Sequence, residues 1–470
     1  MKYIPFNETI MTSSAEHSLV THLADLQRRP ISPTTRARLA QALLDWFTAG
    51  WSAADTPAAD RYRRVAHDCQ PGAGPAPIFG GPAANANGAA FANAAIAHIR
   101  EIDDAHRAAM LHPGVVSVTP ALALAADGGM TQRQVADAII AGYEVSLRLG
   151  EALGTRHAAG FHATATAGAV GAAAAAGVAL GLAPAPLHHA LGIGATQAAG
   201  LWQLVDDDAH EAKSLHPAFA VRNGLAAAYA ARAGLPGARR FATGARGLYA
   251  LLAGDGPLDA LAGGLDASER LNTATIKAWP CCAQLFTPLD ATRELLDAHA
   301  PTPDDIESVD IEIFTHALKI AGVDWPATPA QTCFSLRYVV ARLLLTGGLG
   351  IEDMESTDLQ APGLVALARR ITVRTSDAFQ REFPRLRPCR VTLILKDGRR
   401  LSALRQLRRG DPEDPYDWPA LQARMRAFAP AMDDAAARAI TAWCERFTDA
   451  GNDARTCLPA PALFGCAAPR

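Results

Sequence analysis

The stretch that most limits the fold is "ATATAGAVGAAAAAGVALGL", residues 163–182, a helix-length run in which nearly every side chain is a methyl group or a hydrogen. Its apolar part, around 167–182, approaches the length of a membrane span, but Ala and Gly are too weakly hydrophobic to hold one in lipid. Small residues let helix backbones approach closely, so the run requires a tightly packed helical body. Other segments carry apolar or small residues at the same helical spacing: "TTRARLAQALLDWFTAGW", "TQRQVADAIIAGYEVSLRLGEAL" and "PAFAVRNGLAAAYAARAG". Short Gly/Pro breaks separate them, without a fixed-period repeat or strand-like alternation, from about residue 15 to 272.

The pattern changes near "NTATIKAWPCC". Alternating segments follow at "IESVDIEIF" (306–314), "ITVRTS" (371–376) and "CRVTLILKDGRRLSAL" (389–404), the last with Asp397-Gly398 as a hairpin turn. Helical periodicity returns in "PALQARMRAFA" and "DAAARAITAWCERF". The expected fold is mainly α, with a large all-helical domain from 15–272 and 406–445, a smaller inserted α+β domain at 273–405, and a tail at 446–470.

Composition removes several functions. The chain is 49% apolar and only 19% charged, which describes a buried core and excludes long disorder. Its 44 basic and 47 acidic residues show no basic run, so no nucleic acid is expected as a partner. Eight cysteines without a CxxC pair read as free thiols in a reducing compartment. The first thirty residues lack an uninterrupted apolar core, so no secretory signal is expected, and the expected location is cytoplasmic, away from membranes.

Titratable groups concentrate in "EIDDAHRAAMLHPG", residues 101–114. A helix there would put Glu101, Asp104 and Ala108 on one face and allow an ordinary surface pair between Asp103 and Arg107. Pro113 pushes His112 out of the α region. His112 precedes Pro113, His216 precedes Pro217, and His162 precedes the Ala-rich run, so all three fall at or near helix starts. A helix N-terminus attracts carboxylate ligands and keeps an imidazole neutral, able to act as base or donor. With Lys213, Lys277, Thr164 and Thr166, these groups would form a pocket for a small di- or tricarboxylate, with Asp103 or Asp104 orienting a histidine. The plainer reading makes each histidine a satisfied cap and each lysine a solvated side chain.

Without HExxH, CxxC or paired histidines at helical spacing, no metal is expected. "GIGATQAAG" lacks the preceding strand and final glycine of a dinucleotide fingerprint, so no nucleotide cofactor is expected either. His188-His189 reads as a surface helix start, and Cys281-Cys282 as buried thiols.

Together, "AHIREIDDAHRAAMLHPG", "AGYEVSLRLG", "GFHATATAGAVGAAAAAG", "EAKSLHPAFAVRNGLAAA", "IKAWPCCAQLFTPLDA", "FSLRYVVARLLLTG" and "DGRRL" resemble the 2-methylcitrate dehydratase (MmgE/PrpD) family, which includes cis-aconitate decarboxylases and iminodisuccinate epimerases. The resemblance runs from about residue 18 to 445. It implies a helical domain built from both chain ends, a smaller α+β domain, a site between them, a homodimer, and no required metal or nucleotide. Carried over by motif, the site would use Asp103 or Asp104, His112, His162, Lys213 and Lys277. The chain departs from the family at Ala105, where "DDTH" has Thr, and at Phe286, where members often carry His. The reading is a cofactor-independent lyase of the dehydratase type. Its alternatives are an epimerase or decarboxylase on the same site, or an inactive scaffold or binding protein of the same fold.

Overall fold

The computed structural model describes residues 14–465 apart from 208 and 268. The fold is mainly helical with a small α+β part, and the chain divides into two units. The first takes residues up to Ile99, Asp103–Ala274 and those from Ala429 onward; the second takes Arg100–Ile102 and Thr275–Phe428.

At the centre of the first unit lies the helix Ala163–Ala179, buried from Ala163 to Val178. It packs against the helices Pro113–Gly128, Gln132–Gly160, Pro184–Ala195 and Leu215–Arg232. The Ala/Gly composition sets this packing. A Cβ at Gly224 would lie 2.6 Å from Ala172 Cβ, and one at Gly171 would lie 2.6 Å from Ser146 Cβ. A helix this poor in large side chains gains its stability from backbone approach and dispersion contacts rather than from bulky apolar groups.

Helical spacing missed one feature here, a short antiparallel pair of β1 (Ala76–Ile78) and β2 (Gly81–Ala84). Pro77 and Pro82 bar a helix, and Gly80 at φ 61° makes the reversal. The segment 446–465, expected as a tail, is part of this unit. Phe464 packs its ring 4.9 Å from that of Phe79 and 5.3 Å from that of Phe47, and Cys457 N–H donates to Met130 O at 2.7 Å. Residues 466–470, with Cys466, lie outside the described residues; the seven described cysteines are free thiols.

The second unit holds a four-stranded sheet in the order β4-β3-β5-β6, from β3 (Ile306–Ile313), β4 (Ile371–Thr375), β5 (Cys389–Leu395) and β6 (Arg400–Arg405). β3 and β4 run parallel; the other pairs are antiparallel. The β5–β6 turn carries Gly398 at φ 85°, as its Asp-Gly sequence predicts. Ile306, Val309, Ile311 and Ile313 send one face of β3 into a core shared with Phe286, Leu289 and Val339.

Residues 406–428 were expected to return to the helical domain, but they group with the second unit. Arg424 there donates to the carbonyls of Lys277 and Ile102, both at 2.6 Å, and Arg408 bonds Asp411 at 2.6 Å and Thr275 Oγ1 at 2.8 Å. Helical periodicity identifies the helix Trp418–Phe428 but not the body that receives it. Among the described residues, no helix is long and apolar enough to cross a membrane.

Candidate active site

Several helix ends in the first unit converge. His98 follows the helix Ala86–Ala97 as its C-cap, with its backbone N–H on Ala95 O at 3.2 Å. His112 and His162 are the N-caps of Pro113–Gly128 and Ala163–Ala179. An N-cap side chain ordinarily accepts from its own helix, but neither ring does so here. Instead the His112 N–H donates to Thr164 Oγ1 at 3.1 Å, the His162 N–H donates to Gly200 O at 2.9 Å, and both rings turn toward each other. Lys213 comes from the single turn His210–Ser214, and His216 from the first turn of Leu215–Arg232.

Asp103 organises the cluster. Its Oδ2 lies 2.8 Å from His98 Nδ1 and 3.2 Å from His112 Nδ1, while its Oδ1 is buried without a hydrogen-bond partner. On the far side of His98, Nε2 meets Lys213 Nζ at 3.3 Å. His162 Nδ1 lies 3.0 Å from His216 Nδ1, and the Trp202 ring covers His162 at 4.6 Å between centroids. Apart from the partly buried His112, His216 and Trp202, these groups are nearly excluded from solvent.

The protonation states follow from burial and neighbouring charge. Burial, reinforced by Lys213, holds His98 down to about 3 against the pull of Asp103. Burial and the other three histidines hold His162 well below the ordinary imidazole value, and burial with Lys213 and His98 lowers His216 to about 4. Burial opposes ionisation of Asp103, but His112 and His98 outweigh it and keep the carboxylate well below its usual range. One anion is thus held within the cluster, beside the neutral imidazoles of His98, His162 and His216 and with an amine at hand.

Asp104 faces elsewhere. Its Oδ1 accepts from Gly114 N–H at 2.8 Å, its Oδ2 from Tyr143 OH at 2.6 Å, and its own N–H donates to Asp45 Oδ2 at 2.8 Å. Burial, and then the charge of Asp45, raise it to about 7.

The MmgE/PrpD N-terminal domain model matches residues 17–260, and the MmgE/PrpD C-terminal domain model matches residues 279–446. The chain belongs to the MmgE/PrpD family. A cis-aconitate decarboxylase of Aspergillus terreus is 26% identical over 381 residues, covering 76% of this chain and 77% of that protein. A cis-aconitate decarboxylase-like protein of Aspergillus oryzae is 29% identical over 236 residues, covering 46% of this chain and 47% of its own.

In this MmgE/PrpD chain, His112, His162, His216, Lys213, Thr164 and Asp103 form one constellation. Asp104 does not turn toward it. Thr166 sits on the adjacent turn with its hydroxyl 2.8 Å from His157 Nε2. Lys277 belongs to the second unit, where Nζ bonds the Glu101 carbonyl at 2.6 Å and its carboxylate at 3.1 Å. Phe286 is fully buried in that unit's core.

The stretch 101–112 is a loop rather than a helix, with Glu101 and Met110 at φ 58° and 53°, and Asp103 is buried against two histidines instead of pairing with Arg107 on the surface. His188, expected at the surface, is buried with Nε2 2.8 Å from Arg239 O. Sequence reading missed His98 and Trp202. His98 lies five residues before Asp103 at a helix end marked by neither Pro nor Gly, so the only available signal was its nearness to a paired carboxylate.

Proposed function

We propose that this MmgE/PrpD protein is a cofactor-independent lyase that removes a proton beside a carboxylate of a small di- or tricarboxylate and then eliminates water. The observation that carries the reading is Asp103, shared between His98 and His112 with Lys213 beyond. A carboxylate on Nδ1 orients an imidazole and stabilises the imidazolium formed when its other nitrogen takes a proton, which makes His112 the general base. The Lys213 ammonium would stabilise the negative charge developing on the substrate carboxylate. The C–H electron pair becomes the new C=C bond as the hydroxyl leaves from the neighbouring carbon. A proton delivered through His162 and His216 completes the water molecule.

The cis-aconitate decarboxylase relatives favour a second reading, in which the same carbanion arises by loss of CO₂ and is then protonated. The test is to incubate the pure protein in D₂O with hydroxy-, amino- and unsaturated di- and tricarboxylates and to follow products by NMR. An alkene formed from a hydroxy acid is expected. A lost carboxyl group would establish decarboxylation, exchange without net product would establish epimerisation, and no exchange with any substrate would point to a scaffold.

A further inference from the structure

One ring nitrogen from each of His98, His112 and His162 lies within 4.8 Å of the other two, with His98 and His162 buried and His112 half-buried. The surrounding contacts decide which nitrogens can face inward. Asp103 engages Nδ1 of His98 at 2.8 Å and Nδ1 of His112 at 3.2 Å, and His216 engages Nδ1 of His162 at 3.0 Å. A neutral imidazole with its proton on Nδ1 presents an Nε2 lone pair. A carboxylate on the outer nitrogen of a histidine is also the arrangement that orients metal-ligating histidines and strengthens their donor nitrogens. Three imidazoles, with no carboxylate or thiolate in the donor set, suit zinc, cobalt, nickel or copper and offer little to magnesium or calcium. Zinc–imidazole bonds of about 2.0–2.1 Å in a tetrahedral site would draw the three nitrogens closer by up to about 1.5 Å through ring rotation.

We propose that a divalent cation of the zinc class binds Nε2 of His98, His112 and His162 and, by occupying the nitrogens that carry protons, switches the enzyme off. The binding half stands apart from the proposed reaction; the inhibitory half rests on it. Lys213 is the built-in competitor. Its Nζ lies 3.3 Å from His98 Nε2, and an ammonium and a metal ion cannot both face that lone pair. The site therefore takes metal against a resident cation, and removing the lysine charge should strengthen binding.

The test uses tag-free, chelator-treated protein. Zn²⁺ is titrated by calorimetry, and Co²⁺ is followed by its visible absorption. One ion per chain is expected. His98→Gln, His112→Gln and His162→Gln should each weaken binding at least tenfold, Asp103→Asn by roughly ten- to a hundredfold, and the exposed His67→Gln not at all. Lys213→Met should tighten binding severalfold, a gain that a misfolded variant could not produce. Absence of binding at millimolar Zn²⁺, unchanged affinity in the three histidine variants, or no gain in Lys213→Met would overturn the site. Binding without loss of turnover would overturn only the inhibition, and binding by a protein inactive toward every carboxylate would remove the lyase reading while leaving the site in place.

Discussion

Asp103 and Asp104 are adjacent, both almost wholly buried, and driven to opposite protonation states by their surroundings. Two imidazoles hold the first as a carboxylate. Burial, and then a second carboxylate, Asp45, raise the other to about 7. The two side chains meet different partners, Asp103 the rings of His98 and His112 and Asp104 the Gly114 N–H and Tyr143 hydroxyl, so one dipeptide supplies an ion to the histidine cluster and a proton-retaining group to the support beneath it. Burial alone would have raised both; the sign is set by what each carboxyl meets.

The largest expected effect tests the ionised side. Asp103→Asn should lower turnover by about three to four powers of ten, the scale for a carboxylate that orients a catalytic imidazole. His112→Ala should lower it by roughly two to four powers of ten. An equal loss in Asp104→Asn would erase the contrast, since that substitution should leave turnover much closer to wild type.

The pH dependence of stability sharpens the comparison. Asp104 in the folded state titrates near 7, above the roughly 3.9 of an unfolded aspartate, so folding tightens proton binding. Its contribution is complete below about pH 4 and is lost as pH rises through about 7. His98 runs the other way. Held near 3, below an unfolded value of about 6.5, it contributes fully above that value and loses the contribution as pH falls toward 3. The Tm of wild type minus that of Asp104→Asn should therefore decline between about pH 5 and 8, measured by scanning calorimetry at matched ionic strength. A gap that widens with pH would contradict the raised carboxyl.

The smallest effect concerns the phenol. Tyr143→Phe removes one donor to Asp104 and should cost about 1 kcal/mol in a urea titration while leaving turnover near wild type.

Helix starts made half of the cluster legible. Pro113, Pro217 and the Ala-rich run mark where backbone N–H groups begin to go unpaired, and those marks located His112, His216 and His162 without reference to tertiary structure. Asp103 could not be separated from Asp104 in the same way, because a loop with two positive φ angles has no period that assigns its side chains to a face. His98 stayed hidden because its role depends on the tertiary path that brings residue 103 back beside residue 98. The helical, then alternating, character of the chain was plain from its spacing. The allegiance of residues 406–428 was not, since it depends on individual arginine-to-carbonyl bonds at Arg424 that leave no periodic trace.

The helix behind His162 is fitted to its neighbours by the absence of side chains. A methyl group at Gly224 would meet Ala172 at 2.6 Å, and one at Gly142 would meet Ser117 Oγ at 2.6 Å. The first contact joins the helices that start beside His216 and His162, and the second joins the helix that starts at His112 to the helix Gln132–Gly160. Inheritance is therefore unevenly free in this protein. A lineage can exchange the residues that line the histidine cluster one mutation at a time, whereas drift at these glycines is closed. A library built to change the reaction should randomise the lining and leave the frame untouched.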